Sequence, residues 1–257
     1  MRKNPPKALE TGDTLYFELL RQWLQDCDQN HTCNRNYERH IGRNPWPTRV
    51  IYVGHSASSK LKLLETTLEL NTIRNETYVA LSHCWGKPTD HEEMIFCTTT
   101  ENYKDRLKGF SIENLPRTFQ DAVQITQAIG KKYLWIDALC IIQKDKDDWE
   151  AEAMNMEKVF NSAYCTIAAD SAVDWKQGFL RRKFPQFTTV EKSGVWMYTC
   201  DTKEDFESHV NSSRLNKRAW VLQERVLSRR ILHFTESHTY FACGESVRCE
   251  NFMKLRR

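Results

Sequence analysis

Between Thr14 and Cys27 the apolar positions recur every three or four residues. Tyr16, Leu19, Leu20, Trp23, Leu24 and Cys27 share one face, the spacing of an amphipathic helix that packs as an outer layer. "NPWPTRVIYVG" and "KLKLLETT" then read as a prolyl turn and two short strands, a hairpin with its loop around His55 to Lys60. From Thr77 the texture changes: "TYVALSH" is a nearly unbroken β-prone run, expected of a strand covered on both faces. "LPRTFQDAVQITQAIG" follows as a bounded helix, with Pro116 near its first position, Phe119, Ala122 and Val123 on one side and Gly130 at its stop. "KKYLWID" is a second strand. In "DDWEAEAMNMEKVFNSA" Asp147 and Glu150 predict a capping box, with Trp149, Ala153, Met156 and Phe160 lining one side. "YCTIAAD" is a third strand. This alternation predicts right-handed crossovers and an α/β fold, a parallel sheet flanked by helices.

Beyond Asp170 the pattern weakens. Residues 171–213 are polar apart from "VWMYTC", a predicted strand, and read as an insertion. "RAWVLQERVLS" then has helical character, and "RRILHFT" and "HTYFACG" read as two closing strands. With no internal repeat or Gly/Ser linker, one domain over 1–257 is expected: a lead-in at 1–76 and an α/β core at 77–245.

Composition narrows the partners. A chain of 257 residues at 40% hydrophobic content can bury a sizeable core. Its 37 basic and 34 acidic residues nearly balance, so neither nucleic acid nor an anionic membrane is the expected main partner. No run approaches the roughly 18 apolar residues of a membrane span, and the start lacks a secretory stretch. A cytoplasmic location follows as the expectation, with the nine irregularly spaced cysteines reduced.

In open α/β sheets ligands bind beyond the carboxyl ends of the strands, where loops converge. The three predicted strands end in Ser82 and His83, in Asp137 and in Asp170, so polar groups stand at every such end. Each also has an ordinary use: bonding to backbone for Ser82 or His83, capping a turn for Asp137 and Asp170. Trp85 suits either stacking on a ligand ring or anchoring a core, and Gly86 suits a tight turn. No G-x-G-x-x-G or P-loop pattern occurs, which disfavours a Rossmann dehydrogenase or P-loop NTPase. Trp220 and Glu224 stand four apart on the predicted helix, but with eight tryptophans about one such pair arises by chance. Arg218 belongs to a basic group with Arg214, Lys217, Arg225, Arg229 and Arg230, suited to phosphates or to an ordinary charged face. Cys27, His31 and Cys33 offer three metal donors, yet their spacing fits no common two-plus-two zinc pattern and no fourth ligand lies nearby in sequence, so no metal is predicted. Cys84 and Cys140 read as buried small hydrophobes for want of a base partner.

"YVALSHCWG", the long segment from "LPRTFQDAV" through "YCTIAADS", and "RAWVLQERVLSRRILHF" together resemble, in order, the three blocks of the fungal heterokaryon incompatibility (HET) domain, over roughly residues 77–235. "WLQDCDQNHTC" and "PTRVIYVG" resemble its usual lead-in. The resemblance implies a role in nonself recognition and programmed cell death, and a remote relation to TIR domains, whose fold is a flavodoxin-like parallel sheet flanked by helices. Enzymatic TIR domains cleave NAD with the glutamate of a Trp-x-x-x-Glu helix. By that carry-over Glu224 is the implied catalytic residue and Trp220 its matching partner, and with the strand-end residues Ser82, His83 and Asp137, and with Trp85 and Arg218, Trp220 makes up the candidate substrate-binding groups. NAD would be substrate, with no cofactor required, and homo-oligomers are implied. A noncatalytic self-associating signalling module is the alternative, and a zinc-stabilised nucleic-acid binder a weaker third reading.

Overall fold

The computed structural model describes residues 13–33, 45–55, 59–181, 188–192, 195–199, 206–217, 219–250 and 254–255, with backbone alone at 188–192, 195–199, 219, 220, 222, 223, 254 and 255. Helix α1 (Thr14–Asn30) buries the six residues of the apolar face read from the sequence. Strands β1 (Arg49–Tyr52) and β2 (Lys60–Glu65) form the expected hairpin, in antiparallel register from Arg49 opposite Glu65 to Tyr52 opposite Lys62. A single turn α2 (Leu70–Ile73) leads to β3 (Tyr78–Ser82), buried along its whole length.

Two short helices, α3 (Asp90–Phe96) and α4 (Tyr103–Lys108), and the two-residue strand β4 (Phe110–Ser111) precede α5 (Arg117–Ala128), which starts directly after Pro116. Phe119, Ala122, Val123 and Ile125 of α5 are wholly buried, and each of the larger three contributes about 1.5–3 kcal/mol. Strand β5 (Tyr133–Trp135), the turn α6 (Asp137–Cys140), α7 (Lys146–Ser162) and β6 (Cys165–Ala168) complete the predicted alternation.

The start of α7 differs from the expected capping box. Asp145 is the cap, accepting from the backbone N–H groups of Asp147 and Asp148. The inward face differs too: Glu152, Val159 and Phe160 are buried, whereas Trp149 is 52% exposed. The reason lies on β1, where buried Arg49 bonds Asp148 at 2.6–2.7 Å and stands 3.6 Å from Glu152. That ion cluster turns the acidic side of the helix inward, and burial pushes the Glu152 carboxyl above its ordinary value.

Residues 171–181, expected within an insertion, belong in part to the core. Trp175 and Phe179 are buried, and the Asp121 carboxylate accepts from the N–H groups of Phe179 and Leu180 at 2.8 and 3.0 Å. Gly86 closes this contact: at φ +75° a Cβ there would stand 2.5 Å from Asp174 Cβ. Strands β7 (Thr188–Lys192) and β8 (Val195–Thr199) make a separate antiparallel ribbon. Then come α8 (Phe206–Asn211), α9 (Ala219–Leu227), β9 (Arg230–Phe234), β10 (Thr239–Cys243), β11 (Val247–Cys249) and β12 (Lys254–Leu255).

Among the described residues the main sheet has ten strands in the order β12-β11-β10-β9-β6-β3-β5-β1-β2-β4. It is mixed rather than purely parallel. Only β9, β6, β3 and β5 run parallel to one another, while the lead-in hairpin and the C-terminal strands extend the two sides antiparallel. Short connections account for the antiparallel pairs β1–β2, β9–β10 and β10–β11, since a hairpin can only place its second strand antiparallel beside the first. From β3 the chain moves one way to β5, then crosses to β6 on the other side. Right-handed crossovers in opposite directions place α5 and α7 on opposite faces. Accordingly α1 packs on α5 and β10, while α9 packs on α7. No helix among the described residues is long and apolar enough to cross a membrane.

Candidate functional site

The parallel order reverses between β3 and β6, and a crevice outside the carboxyl ends of those strands is where α/β sheets take ligands. Side chains alternate along a strand, so the polar pair ending β3 divides between the two faces. Ser82 turns to the side covered by α9, where its Oγ donates to Glu224 Oε2. His83 turns to the side of α5, its ring edge-on to Phe119 at 5.0 Å.

On the Ser82 face, parallel register aligns Ser82 with Ala168 and Ala168 with His233. The small Ala168 leaves a floor between them, and Thr166, Asp170 and Glu224 complete a narrow crevice. Its open space is about 10 Å³, room for roughly one water. Asp170 is buried and held twice: Ser213 Oγ donates to it at 2.9 Å, and His233 Nδ1 lies 2.8 Å from its other oxygen. With Asp170 ionised, His233 donates through Nδ1 and keeps a lone pair on Nε2, which has no hydrogen-bond partner among the described residues. Ser228 ends α9 by donating to the Glu224 carbonyl at 2.6 Å and sits 2.6 Å from Thr166 Oγ1, fixing the helix against β6.

Asp170 also borders a larger cleft of about 440 Å³, lined further by Ser171, His209, Arg214, Lys217 and Thr235. Arg214 and Lys217 are exposed at its wall, an arrangement able to receive an anion. A wider cleft of about 590 Å³ lies elsewhere, by Met94, Arg106 and Phe110, and includes none of the candidate residues.

The other face gathers His83, Trp85 and Asp137. The Asp137 carboxylate accepts from Trp85 Nε1 at 2.8 Å and from the Ala138 N–H at 2.7 Å, and stands 3.8 Å from His83 Nδ1. The ring of Trp85 is 5.5 Å from that of Trp175 and 6.4 Å from that of His83. Asp137 thus serves the α6 turn and a packed aromatic cluster, and the strand-end residues form two groups rather than one pocket. Arg218 and the side chain of Trp220 lie outside the described residues.

Sequence reasoning missed His233 and Ser213, the partners of Asp170. The signal for His233 was a lone histidine in the apolar run "RRILHFT"; Ser213, in the low-pattern stretch, carried none. It also missed Cys243, whose thiol joins Cys27, His31 and Cys33 so that all four donor atoms lie within 4.8 Å of one another. Cys84 and Cys140 are buried, and burial pushes the Cys140 thiol up to about 12, which keeps it protonated and inert.

Compared with known families, residues 78–224 match the model described as heterokaryon incompatibility protein (HET). No curated protein and no solved structure matches the chain.

Proposed function

The chain belongs to the heterokaryon incompatibility family, and from that premise we propose that it is a death effector that hydrolyses the nicotinamide ribosyl bond of NAD, with Glu224 as its catalytic carboxylate. The observation that carries this reading is the contact between Glu224 and Ser82. A helix that follows β3 by more than a hundred residues returns its one carboxylate to the tip of that strand, at the reversal of the parallel order. Numbered by appearance, the parallel strands β5-β3-β6-β9 run 2-1-3-4, which supports a TIR-like, flavodoxin-like core.

Cleavage of this bond passes through an oxocarbenium-like transition state, and nicotinamide departs neutral, so no general acid is required. Glu224 would hold the ribose hydroxyls and offset the positive charge growing on the sugar. His233, oriented by Asp170, presents Nε2 as the acceptor for a proton from the attacking water. Arg214 and Lys217 suit the pyrophosphate in the adjoining cleft. The crevice beside Glu224 has room for about one water, so a dinucleotide requires the Ser82 contact to open and α9 to shift. Homo-oligomer formation is the step to which we assign that shift.

The test is nicotinamide release from NAD by the purified protein, assayed over a range of protein concentrations. Glu224→Gln is expected to lower the rate about 100- to 1,000-fold while melting like the parent. A folded variant as active as the parent would end the proposal. The second reading, a noncatalytic self-associating module, is favoured by the closed crevice and by exposed Met154 on α7 and Val226 on α9, helices that pack together. Self-association with no nicotinamide release from any assembled form would select it.

A further inference from the structure

We propose that Cys27, His31, Cys33 and Cys243 bind one zinc ion in a closed structural site that clips α1 and the segment after it to the end of β10. This site is independent of the NAD reading.

Cys27 lies in the last turn of α1 and His31 one helical turn later, where the helix ends with the His31 N–H on the Cys27 carbonyl at 3.2 Å. Cys33 follows two residues on, and β10 ends in Cys243, which closes a tight turn by donating its N–H to the Ser246 carbonyl at 2.9 Å. Four donors from two distant parts of the chain thus face one point, all within 4.8 Å of one another, with His31 Nδ1 3.3 Å from Cys243 Sγ. A tetrahedral ion with bonds of about 2.3 Å to sulfur and about 2.0 Å to nitrogen sets its ligands roughly 3.5–3.8 Å apart, so closing the cluster takes side-chain adjustments of about 1 Å or less.

The donor set selects the metal. Three thiolates and one imidazole are soft, and with no carboxylate among them they suit zinc rather than magnesium or calcium. Four protein ligands leave no open position, the mark of a structural site. Cys27 and Cys243 are buried while His31 and Cys33 are half-buried, which leaves the ion a way in.

The surroundings hold the two segments in register. Thr32 donates to Glu245 Oε1 through both its N–H and its Oγ1, at 2.5 and 2.6 Å. Arg248 pairs with Asp26, and buried Arg230 with Asp28, on either side of Cys27. The cysteines bind the ion as thiolates, so thiol protons leave to solvent as the Zn–S bonds form.

The experiment uses the full chain, purified without chelator from zinc-supplemented medium and measured for metal by mass spectrometry. About one zinc per chain is expected, with Cys243→Ser losing it and Cys97→Ser, a buried thiol elsewhere, retaining it. Should Cys243→Ser not fold, Cys243→His keeps four donors and is expected to retain zinc. Cobalt(II) added to the apoprotein should give the absorption of a tetrahedral thiolate complex, with release of protons. A parent chain that binds neither zinc nor cobalt overturns the proposal. So does a disulfide among the three cysteines in the purified protein, or a folded Cys243→Ser that holds zinc as tightly as the parent.

Discussion

Ser82 and His83 are neighbours in the chain, yet they supply two clusters of different character on opposite faces of one sheet. On the Ser82 face the groups are polar and lie beside a cleft: a serine on Glu224, an aspartate shared by Ser213 and His233, and cations at the adjoining wall. On the His83 face a part-exposed aspartate accepts from Trp85, with Trp85 and Phe119 against the imidazole and Trp175 packed on both of those rings. Carboxylates occur in both, Asp170 buried on the first and Asp137 about a quarter exposed on the second. What differs is whether their surroundings are polar and next to open space, or aromatic and filled. The first arrangement suits chemistry and the second suits stability.

That contrast can be broken by substitution. Trp175→Ala should show the largest effect, about 3–5 kcal/mol of lost stability through the cavity it leaves, read by chemical denaturation. A loss under about 1 kcal/mol would mean that the aromatic cluster is not tightly packed. Glu224→Gln comes next and should separate the faces, with a rate loss worth roughly 3–4 kcal/mol of transition-state stabilisation and little change in melting. Asp170→Asn should cost about 1.5–3 kcal/mol, because buried His233 and half-buried Ser213 lose a charged acceptor. It should also lower the rate by letting the His233 ring turn, so equal loss of rate and stability would recast Asp170 as purely structural. Smallest, Asp137→Ala should cost about 1 kcal/mol by freeing the Trp85 N–H, and should lower the rate less than Glu224→Gln does. A rate loss as deep as that of Glu224→Gln would place both faces in one site.

Much of this was legible in advance. The buried face of α1, the β1–β2 hairpin, the bounds of α5 set by Pro116 and Gly130, and the polar residues at the strand ends all follow from spacing. The face turned inward by α7 was not legible, because it depends on Arg49 reaching Asp148 from a strand nearly a hundred positions away. Residues 171–181 looked polar and unpatterned, yet Trp175 and Phe179 enter the core because Asp121 accepts from the backbone that carries them. The sign His233 gave, a single histidine in an apolar strand, becomes informative only when Asp170 stands beside it.

The sequence by itself determined the main helices and strands of the alternation, the apolar faces of α1 and α5 and the two ends of α5. Those properties arise from neighbours two to four residues apart, whose geometry is the same in any fold. Only the tertiary structure decided that Glu224 meets Ser82, that Ser82 and His83 part company, and that Cys243 completes the group begun by Cys27. Such meetings depend on strand order and crossover hand, and these are chosen by the burial of the whole sheet, to which no local stretch holds the key.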